Sequence, residues 1–320
     1  MKQKFTVGLF ACVVGTMLLL PHAAAQDRLT ITSDGLWMLS ERTLNLMEEA
    51  ARGDERAEAE LGYRYLVRNG VAFDPIEGFR LLKKAADNGD ADAATKLGYI
   101  YREGIGTEPS AVESVRWYSQ AAGSGDAVAQ TNLGYAYLRG LGVKRDIALG
   151  FAWMYNAAEQ REPVAMRSVA YLYENGVGVS RDIEQAYRWY QSAAVMGDGP
   201  AQTAVGKMYR TGTGTEQDFD LALFWFLKAA NQGEVDGQRA LAEMYHAGQG
   251  VKADPVLALV WYSLVDGQQS VNPKLIQTLR SGLTLKQQVV AEQAIEEWWD
   301  VRHRRMHFIA PEVPVLGAND

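Results

Sequence analysis

Residues 127–162 read AVAQTNLGYAYLRGLGVKRDIALGFAWMYNAAEQRE, and this 36-residue unit recurs along most of the chain without insertions. Ala-Ala pairs stand one period apart at 85/86, 121/122, 157/158, 193/194 and 229/230. Tyrosine recurs at 65, 101, 137, 173, 209 and 245, and tryptophan recurs at 117, 153, 189, 225 and 261. Columns that stay in register over five or six units indicate a repeat protein, so the fold depends on the structure of one unit.

Each unit contains two stretches with the apolar spacing of an α-helix. In the second unit, Ala93, Leu97 and Tyr101 lie on one helical face at i, i+4 and i+8. The following Gly104-Ile105-Gly106 suits a turn that ends the helix in the left-handed conformation. The predicted N-caps of the second helices are Asp146, Asp182, Asp218 and Asp254. Because one helix pair cannot bury its apolar face alone, the pattern predicts an all-α fold, a right-handed α-solenoid of stacked antiparallel helix pairs.

These columns resemble the Sel1-like repeat family. The third unit shows the motif well, with Ala129, Leu133, Gly134, Tyr137, Gly140, Gly142, Val143, Asp146, Trp153 and Ala157-Ala158. The resemblance covers residues 57–268 as six repeats; the related tetratricopeptide family has a shorter period and lacks the G-x-G turn. Exported Sel1-like proteins are associated with cell-envelope work, so the resemblance implies a scaffold for protein partners.

The first 25 residues have the features of a signal peptide. Lys2 and Lys4 precede an apolar stretch, and Ala23-Ala24-Ala25 forms a small-x-small cleavage site. An uncleaved anchor and a lipoprotein acylated at Cys12 are the alternatives. We therefore expect a periplasmic or secreted protein, cleaved near Ala25, with no stable membrane span afterwards.

The remaining segments are predicted to cap the array, because a solenoid otherwise exposes apolar surface at its ends. Residues 26–56 are expected to carry an N-terminal capping helix at 36–53. Residues 269–310 are expected to carry C-terminal capping helices at 273–281 and 285–302. Residues 311–320 lose all periodicity and are predicted to form a flexible tail.

Composition and motifs argue against several functional classes. The net charge of −7 argues against a nucleic-acid partner. Cys12 is the only cysteine and lies in the leader, so the mature chain has no disulfide or thiol nucleophile. His303 and His307 are four residues apart, but Arg304 stands where a zinc protease has its glutamate. With neither G-x-S-x-G nor S-x-x-K present, the sequence predicts no enzyme, cofactor or metal site.

One non-core column of the first helices points to a binding surface. It holds Tyr63, Tyr99, Tyr135 and Tyr171, followed by Lys207 and Glu243. We predict that the four tyrosines form a partner-binding ladder on the concave face, together with Arg102, Arg167 and Arg210. The alternative is that the tyrosines pack between neighbouring first helices as part of the core. The two charged residues in the column favour exposure, because buried charges are rare without partners.

The resulting hypothesis is an exported, non-catalytic scaffold or adaptor that mediates protein–protein interaction in the bacterial cell envelope. A protein that binds peptidoglycan or an exopolysaccharide is the alternative, since tyrosine and tryptophan rings stack on sugars. A cell-wall or β-lactam hydrolase is less favoured. Cysteine-rich members of the family have been associated with β-lactam chemistry, and this chain lacks their cysteine pairs.

Overall fold

The computed structural model describes residues 30–31, 37–38, 41–67, 71–266 and 273–306. The predicted signal peptide at 1–25 and the predicted tail at 311–320 lie outside the described residues. Within the described ranges the chain is almost entirely helical, with 15 α-helices. The prediction of an all-α solenoid is confirmed.

Twelve of these helices form the repeats. The first helices are α2 (Glu55–Val67), α4 (Ala91–Glu103), α6 (Ala127–Arg139), α8 (Pro163–Asn175), α10 (Gly199–Thr211) and α12 (Val235–Ala247). The second helices are α3 (Pro75–Asp87), α5 (Ala111–Gly123), α7 (Ile147–Glu159), α9 (Ile183–Val195), α11 (Phe219–Asn231) and α13 (Pro255–Asp266). Each helix packs against the next along the chain, which gives the six predicted pairs.

The array curves towards its first helices. Within the described part of the repeats, the more extensive contacts between alternate helices join α4 to α6 and α10 to α12, which are all first helices. In a curved stack, helices on the inner side approach each other most closely. The first helices therefore line the concave side, and we call the surface they present the first-helix face.

Helices outside the repeats cover both ends. α1 (Glu41–Ala51) packs on α2, and α14 (Pro273–Ser281) and α15 (Leu285–Met306) pack on α13. The N-terminal helix begins later than predicted, because Trp37–Met38 (β2) pairs antiparallel with Thr30–Ile31 (β1). This two-residue pair is an exception to the helical prediction, and the β-branched Thr30 and Ile31 favour an extended backbone.

The turns and caps of the repeats follow the sequence signals. Gly104 ends α4 in the left-handed conformation with φ 72°, and Asp146 accepts a hydrogen bond from the Leu149 amide at the start of α7. The second glycine of each G-x-G turn meets a further constraint. A Cβ atom at Gly142 would lie 2.1 Å from the carbonyl oxygen of Ala111 in the preceding repeat. These glycines therefore serve packing between repeats.

A column of large buried side chains lies one residue after the tryptophans. It contains Leu82, Tyr118, Met154, Tyr190, Phe226 and Tyr262, all of them buried. A Cβ atom at Gly98 would lie 2.5 Å from the Tyr118 ring, and one at Gly206 would lie 2.6 Å from Phe226. The glycine of the Leu-Gly motif thus makes room for a large side chain from the second helix, a pairing that sequence reasoning missed.

The prediction that all five tryptophans of the column are largely buried is only partly right. Trp117, Trp225 and Trp261 are buried, whereas Trp153 and Trp189 are half-buried. Trp189 has the Tyr155 ring 5.6 Å away in an edge-to-face contact, and its indole still reaches solvent.

Trp153 is only half-buried because small residues occupy the positions that cover Trp117. Above Trp117 lie Arg116, 5.0 Å from the ring centre, and Lys83, 5.8 Å away. The corresponding positions around Trp153 hold Ala152 and Ser119. The long aliphatic stems of arginine and lysine shield an indole from water, whereas alanine and serine leave it open.

This difference predicts unequal costs of truncation. Trp117→Ala is expected to lower the free energy of unfolding by about 3–5 kcal/mol, because it empties a fully buried site. Trp153→Ala is expected to cost clearly less, because part of its surface is already in water. Urea denaturation followed by circular dichroism measures both, and equal losses would contradict the assigned packing.

A second stability prediction concerns Arg161. Its φ is +67°, whereas the equivalent residues are Gly53, Gly89, Gly125, Gly197 and Gly233. A left-handed conformation strains a residue with a side chain by about 1–2 kcal/mol, and glycine also adds freedom to the unfolded chain. Arg161→Gly is therefore expected to stabilise the protein by up to about 1 kcal/mol. Arg161→Ala, which keeps the Cβ atom, is the control and is expected to give no gain in the same denaturation experiment.

Candidate partner-binding surface

The four tyrosines of the predicted ladder lie on the first-helix face, one in each of the first four repeats. Tyr63, Tyr99 and Tyr135 are half-buried, and Tyr171 is 56% exposed. None of the four is enclosed in the core. Tyr171 therefore lies on the surface, whereas the other three are partly packed, Tyr135 against the core, and the role of the column in binding stays a prediction.

Three of the rings carry a cation from the chain itself. Lys96 Nζ lies 4.6 Å from the centre of the Tyr63 ring, and the guanidinium of Arg102 lies 5.0 Å from that of Tyr99. Arg139 lies 5.4 Å from the Tyr135 ring. A cation over an aromatic face is attracted by the negative charge density of the ring. These contacts hold the tyrosines in place.

Sequence reasoning found Arg102 but missed the other two cations. Arg139 lies four residues after Tyr135, a spacing that places two side chains together on a helix surface, so a search at this spacing finds it. Lys96 comes from the next repeat. Its contact with Tyr63 becomes visible only when neighbouring first helices are set side by side.

Arg102 also joins two repeats. Its Nη1 donates to Oδ1 of Asn132 on α6 at 3.1 Å, and its Nε lies 2.7 Å from Glu103 Oε1. The guanidinium is therefore already neutralised and oriented by the chain.

Arg167 contributes to the next junction. Its Nε lies 3.0 Å from Asp198 Oδ1, and its side chain is 19% exposed. Asp198 also caps α10 by accepting from the Ala201 amide. Thr95 occupies the same column and donates to the N-cap Asp126 at 3.1 Å. In the second, third and fourth repeats this column links the first helix to the cap of the next, so Arg167 has a structural role whether or not it meets a partner.

Arg210 lies apart from the tyrosines, in the fifth repeat. Its Nη1 donates to Glu243 Oε2 at 2.7 Å, which makes another junction between first helices. It lines an open concavity of about 440 Å³ together with residues including Glu243, His246 and Tyr262. The predicted site residues therefore lie on one face but in two regions, an aromatic one and a polar one.

Glu234 differs from the other N-caps of the first helices. Asp90, Asp126, Glu162 and Asp198 accept a backbone amide, whereas Glu234 makes no side-chain cap hydrogen bond. Burial raises the pKa of Glu234, and the nearby carboxylates of Asp236 and Asp198 raise it further. Its ionised form is therefore disfavoured in the folded protein.

Two tyrosines of the ladder, Tyr63 and Tyr99, stay protonated at neutral pH. Burial raises the pKa of Tyr63, and the charge of Glu60 adds to this effect. Burial and Glu103 also raise the pKa of Tyr99, while Arg102 lowers it. The rings therefore present hydroxyl groups that both donate and accept hydrogen bonds.

Two properties of the described residues, their metal-binding capacity and their membrane-spanning capacity, bear on function. Among the described residues, no three or more His, Cys, Asp or Glu side chains are grouped so that they could hold a metal ion. No helix in the described part of the chain is long and apolar enough to span a membrane.

A family model for the Sel1 repeat matches six consecutive segments, at residues 56–90, 91–126, 127–161, 163–198, 199–234 and 235–264. The chain belongs to the Sel1 repeat family. Proteins of this family generally act as scaffolds for protein–protein interaction and are typically non-catalytic.

Two solved structures resemble this Sel1 repeat protein. One is c5321, a protective antigen of uropathogenic Escherichia coli with an SLR fold, at 32% identity and a TM-score of 0.67. The match covers 80% of this chain but only 56% of that one, so the present chain spans about half of its relative. The other is a Sel1 repeat protein from Oxalobacter formigenes, at 26% identity, a TM-score of 0.63 and coverage of 73% and 100%. A comparison with curated proteins gave no significant match.

The unusual cap leads to a prediction about pH. The pKa of Glu234 is raised on folding, so its ionisation destabilises the protein once the pH exceeds its value in the unfolded chain. Glu234→Gln is therefore expected to raise the free energy of unfolding at pH 7. The gain is expected to vanish below about pH 4, where the carboxyl group is protonated in both states. Glu162→Gln, which alters a working cap, is the control and is expected to destabilise at pH 7. A gain for Glu234→Gln that is independent of pH would contradict the electrostatic cause.

Proposed function

We propose that this Sel1 repeat protein is an exported scaffold that binds a protein partner along its first-helix face in the bacterial cell envelope. The observation that carries the proposal is the row of four accessible tyrosines, one per repeat, on the concave side. Tyrosine provides large, stiff contact area with a polar tip, which suits protein interfaces.

Export is the second part of the proposal and rests on the leader. Lys2, Lys4 and the apolar stretch before Ala23-Ala24-Ala25 support secretion with cleavage near Ala25. Fractionation of the native host tests this part. The expected result is a mature chain that begins after Ala25 and is recovered on release of the periplasm or from the medium.

Glycan binding is a second candidate, supported by the half-buried Trp153 on the opposite side of the array. The buried Trp117, Trp225 and Trp261 cannot stack on a sugar, so within the tryptophan column this candidate depends on the half-buried Trp153 and Trp189. Co-sedimentation with purified sacculi tests this candidate, and loss of sedimentation in Trp153→Ala would support it.

The proposed interface is tested by crosslinking in the native host. Replacing Tyr63, Tyr99, Tyr135 and Tyr171 with alanine removes the aromatic row. It is expected to reduce the recovered partner at least about tenfold, as loss of interface anchors does. The control replaces Ile76 and Val112, which are exposed apolar residues on second helices, and is expected to retain the partner.

Circular dichroism must show that both variants keep their helical content. Equal recovery of the partner by the wild type and the tyrosine variant would contradict the proposed interface. Equal loss in both variants would point to unspecific apolar adhesion and would contradict it as well.

A further inference from the structure

Tyr171 differs from the other three tyrosines of its column. It is 56% exposed, and no cation lies over its ring among the described residues. Tyr63, Tyr99 and Tyr135 each carry a cation from the chain, at 4.6, 5.0 and 5.4 Å. Three tyrosine rings of this column are therefore covered by a cation of the chain, and the ring of Tyr171 is left open.

The residues around Tyr171 explain why it is open. At the other three tyrosines, the cation comes from one of three positions. Lys96 lies 33 residues after Tyr63, in the next repeat. Arg102 lies three residues after Tyr99 and Arg139 four residues after Tyr135, each on the same helix as its ring. Around Tyr171 these positions hold Ala204, Glu174 and Asn175. Each possible cation is thus replaced by a neutral residue or by a carboxylate.

A hydrogen bond from the core fixes the position of the Glu174 side chain. Tyr190, buried in the core, donates its hydroxyl to Glu174 Oε2 at 2.9 Å. Burial raises the pKa of Tyr190 and the charge of Glu174 raises it further, so the hydroxyl stays a donor. No lysine, arginine or histidine of the described chain forms an ion pair with Glu174, whose second oxygen has no hydrogen-bond partner there. Glu174 therefore shares a helix face with the open ring of Tyr171, three residues further along the helix.

Two cations of the chain lie near this place without forming an ion pair with Glu174, and one of them, Arg181, donates its Nε to the Glu174 backbone carbonyl at 2.9 Å. Arg167 lies one turn before Tyr171, but its charge is matched by Asp198 at 3.0 Å. Asn175 donates its amide to the Tyr171 carbonyl at 2.9 Å, which leaves its own carbonyl oxygen as an acceptor. An open aromatic face, an unpaired carboxylate and an amide oxygen all favour a positively charged group.

We propose that Tyr171, Glu174 and Asn175 form a receptor for one cationic side chain, lysine or arginine, of the protein partner, with Ala204 leaving the space for it. The partner's cation takes the place that Lys96 occupies over Tyr63. This inference rests on the proposed function, because it specifies the chemistry of one contact on the first-helix face. The acidic net charge of −7 is consistent with a basic segment in the partner.

The receptor is tested with short peptides on the full mature chain containing 3-fluorotyrosine. Fluorine resonances of the ladder are assigned with single Tyr→Phe variants. The probes are acetyl-GKGKG-amide and acetyl-GRGRG-amide, with acetyl-GQGQG-amide and acetyl-GEGEG-amide as controls, all at 150 mM salt to screen distant charges. The Tyr171 resonance is expected to shift in a saturable manner with the lysine and arginine peptides only. No shift, or an equal shift with the control peptides, would overturn the inference.

Variants at position 204 give a sharper test. Ala204→Lys rebuilds the arrangement of Lys96 over Tyr63, so the chain's own lysine is expected to weaken peptide binding about tenfold. Ala204→Gln adds similar bulk without charge and is expected to change binding less than about threefold. Equal weakening by both would show that bulk alone matters and would overturn the cation assignment. Circular dichroism and thermal unfolding confirm that the variants fold.

Glu174→Gln tests the carboxylate, since glutamine can still accept from Tyr190. It is expected to weaken binding of the lysine peptide about tenfold, and unchanged binding would contradict the role of Glu174. The two proposals fail separately. If recovery of the partner requires the tyrosines but the Tyr171 resonance does not shift with the cationic peptides, only the proposed receptor is wrong. If Tyr171 binds the peptides but partner recovery does not need the ladder, the proposed interface is wrong and the receptor has another ligand.

Discussion

The close approach of the two helices within each repeat is the constraint on which the structure depends. A Cβ atom at Gly134 would lie 2.7 Å from Met154 Cγ and 2.9 Å from the carbonyl oxygen of Gly150, so the two helices could not approach this closely with a side chain at position 134. This spacing lets the alanine pairs reach almost complete burial, as at Ala157 and Ala158. Dispersion attraction falls steeply with distance, so even a small separation of the helices would weaken many contacts at once.

Because a solenoid repeat touches only its neighbours, its stability depends on each junction in turn. On the first-helix face, polar contacts add to the apolar packing at several junctions. Arg102 reaches Asn132, Arg167 reaches Asp198, and Arg210 reaches Glu243. The arginines that sequence reasoning assigned to a partner thus already serve the array. Their charges are largely matched by the chain, so the unmatched charges decide what this face attracts.

The sequence predicts the features that recur in every repeat, but it does not predict features that depend on side chains from a neighbouring repeat. The caps such as Asp146 were predictable, because a cap acts on its own helix within three residues. The exposure of Trp153 was not, because it depends on Ser119 from the preceding repeat as well as on Ala152. The cation over Tyr63 was missed for the same reason, since Lys96 comes from the following repeat. The strand pair near the N-terminus lies outside the repeat and has no column to predict it.

Six copies of one unit also provide an internal control for separating packing from function. The bonded pair Gln130–Gln160 recurs as Gln202–Gln232, and the fourth repeat has methionine at both positions. Because both positions change together from polar to apolar, the two side chains still suit each other, and packing alone explains this change. The surroundings of Tyr171 change in the opposite sense: the ring is kept, but none of the three positions that supply a cation to the other rings holds one. A packing requirement would have preserved one cation or replaced the tyrosine, so this departure from the repeat is better explained by a ligand from outside the chain.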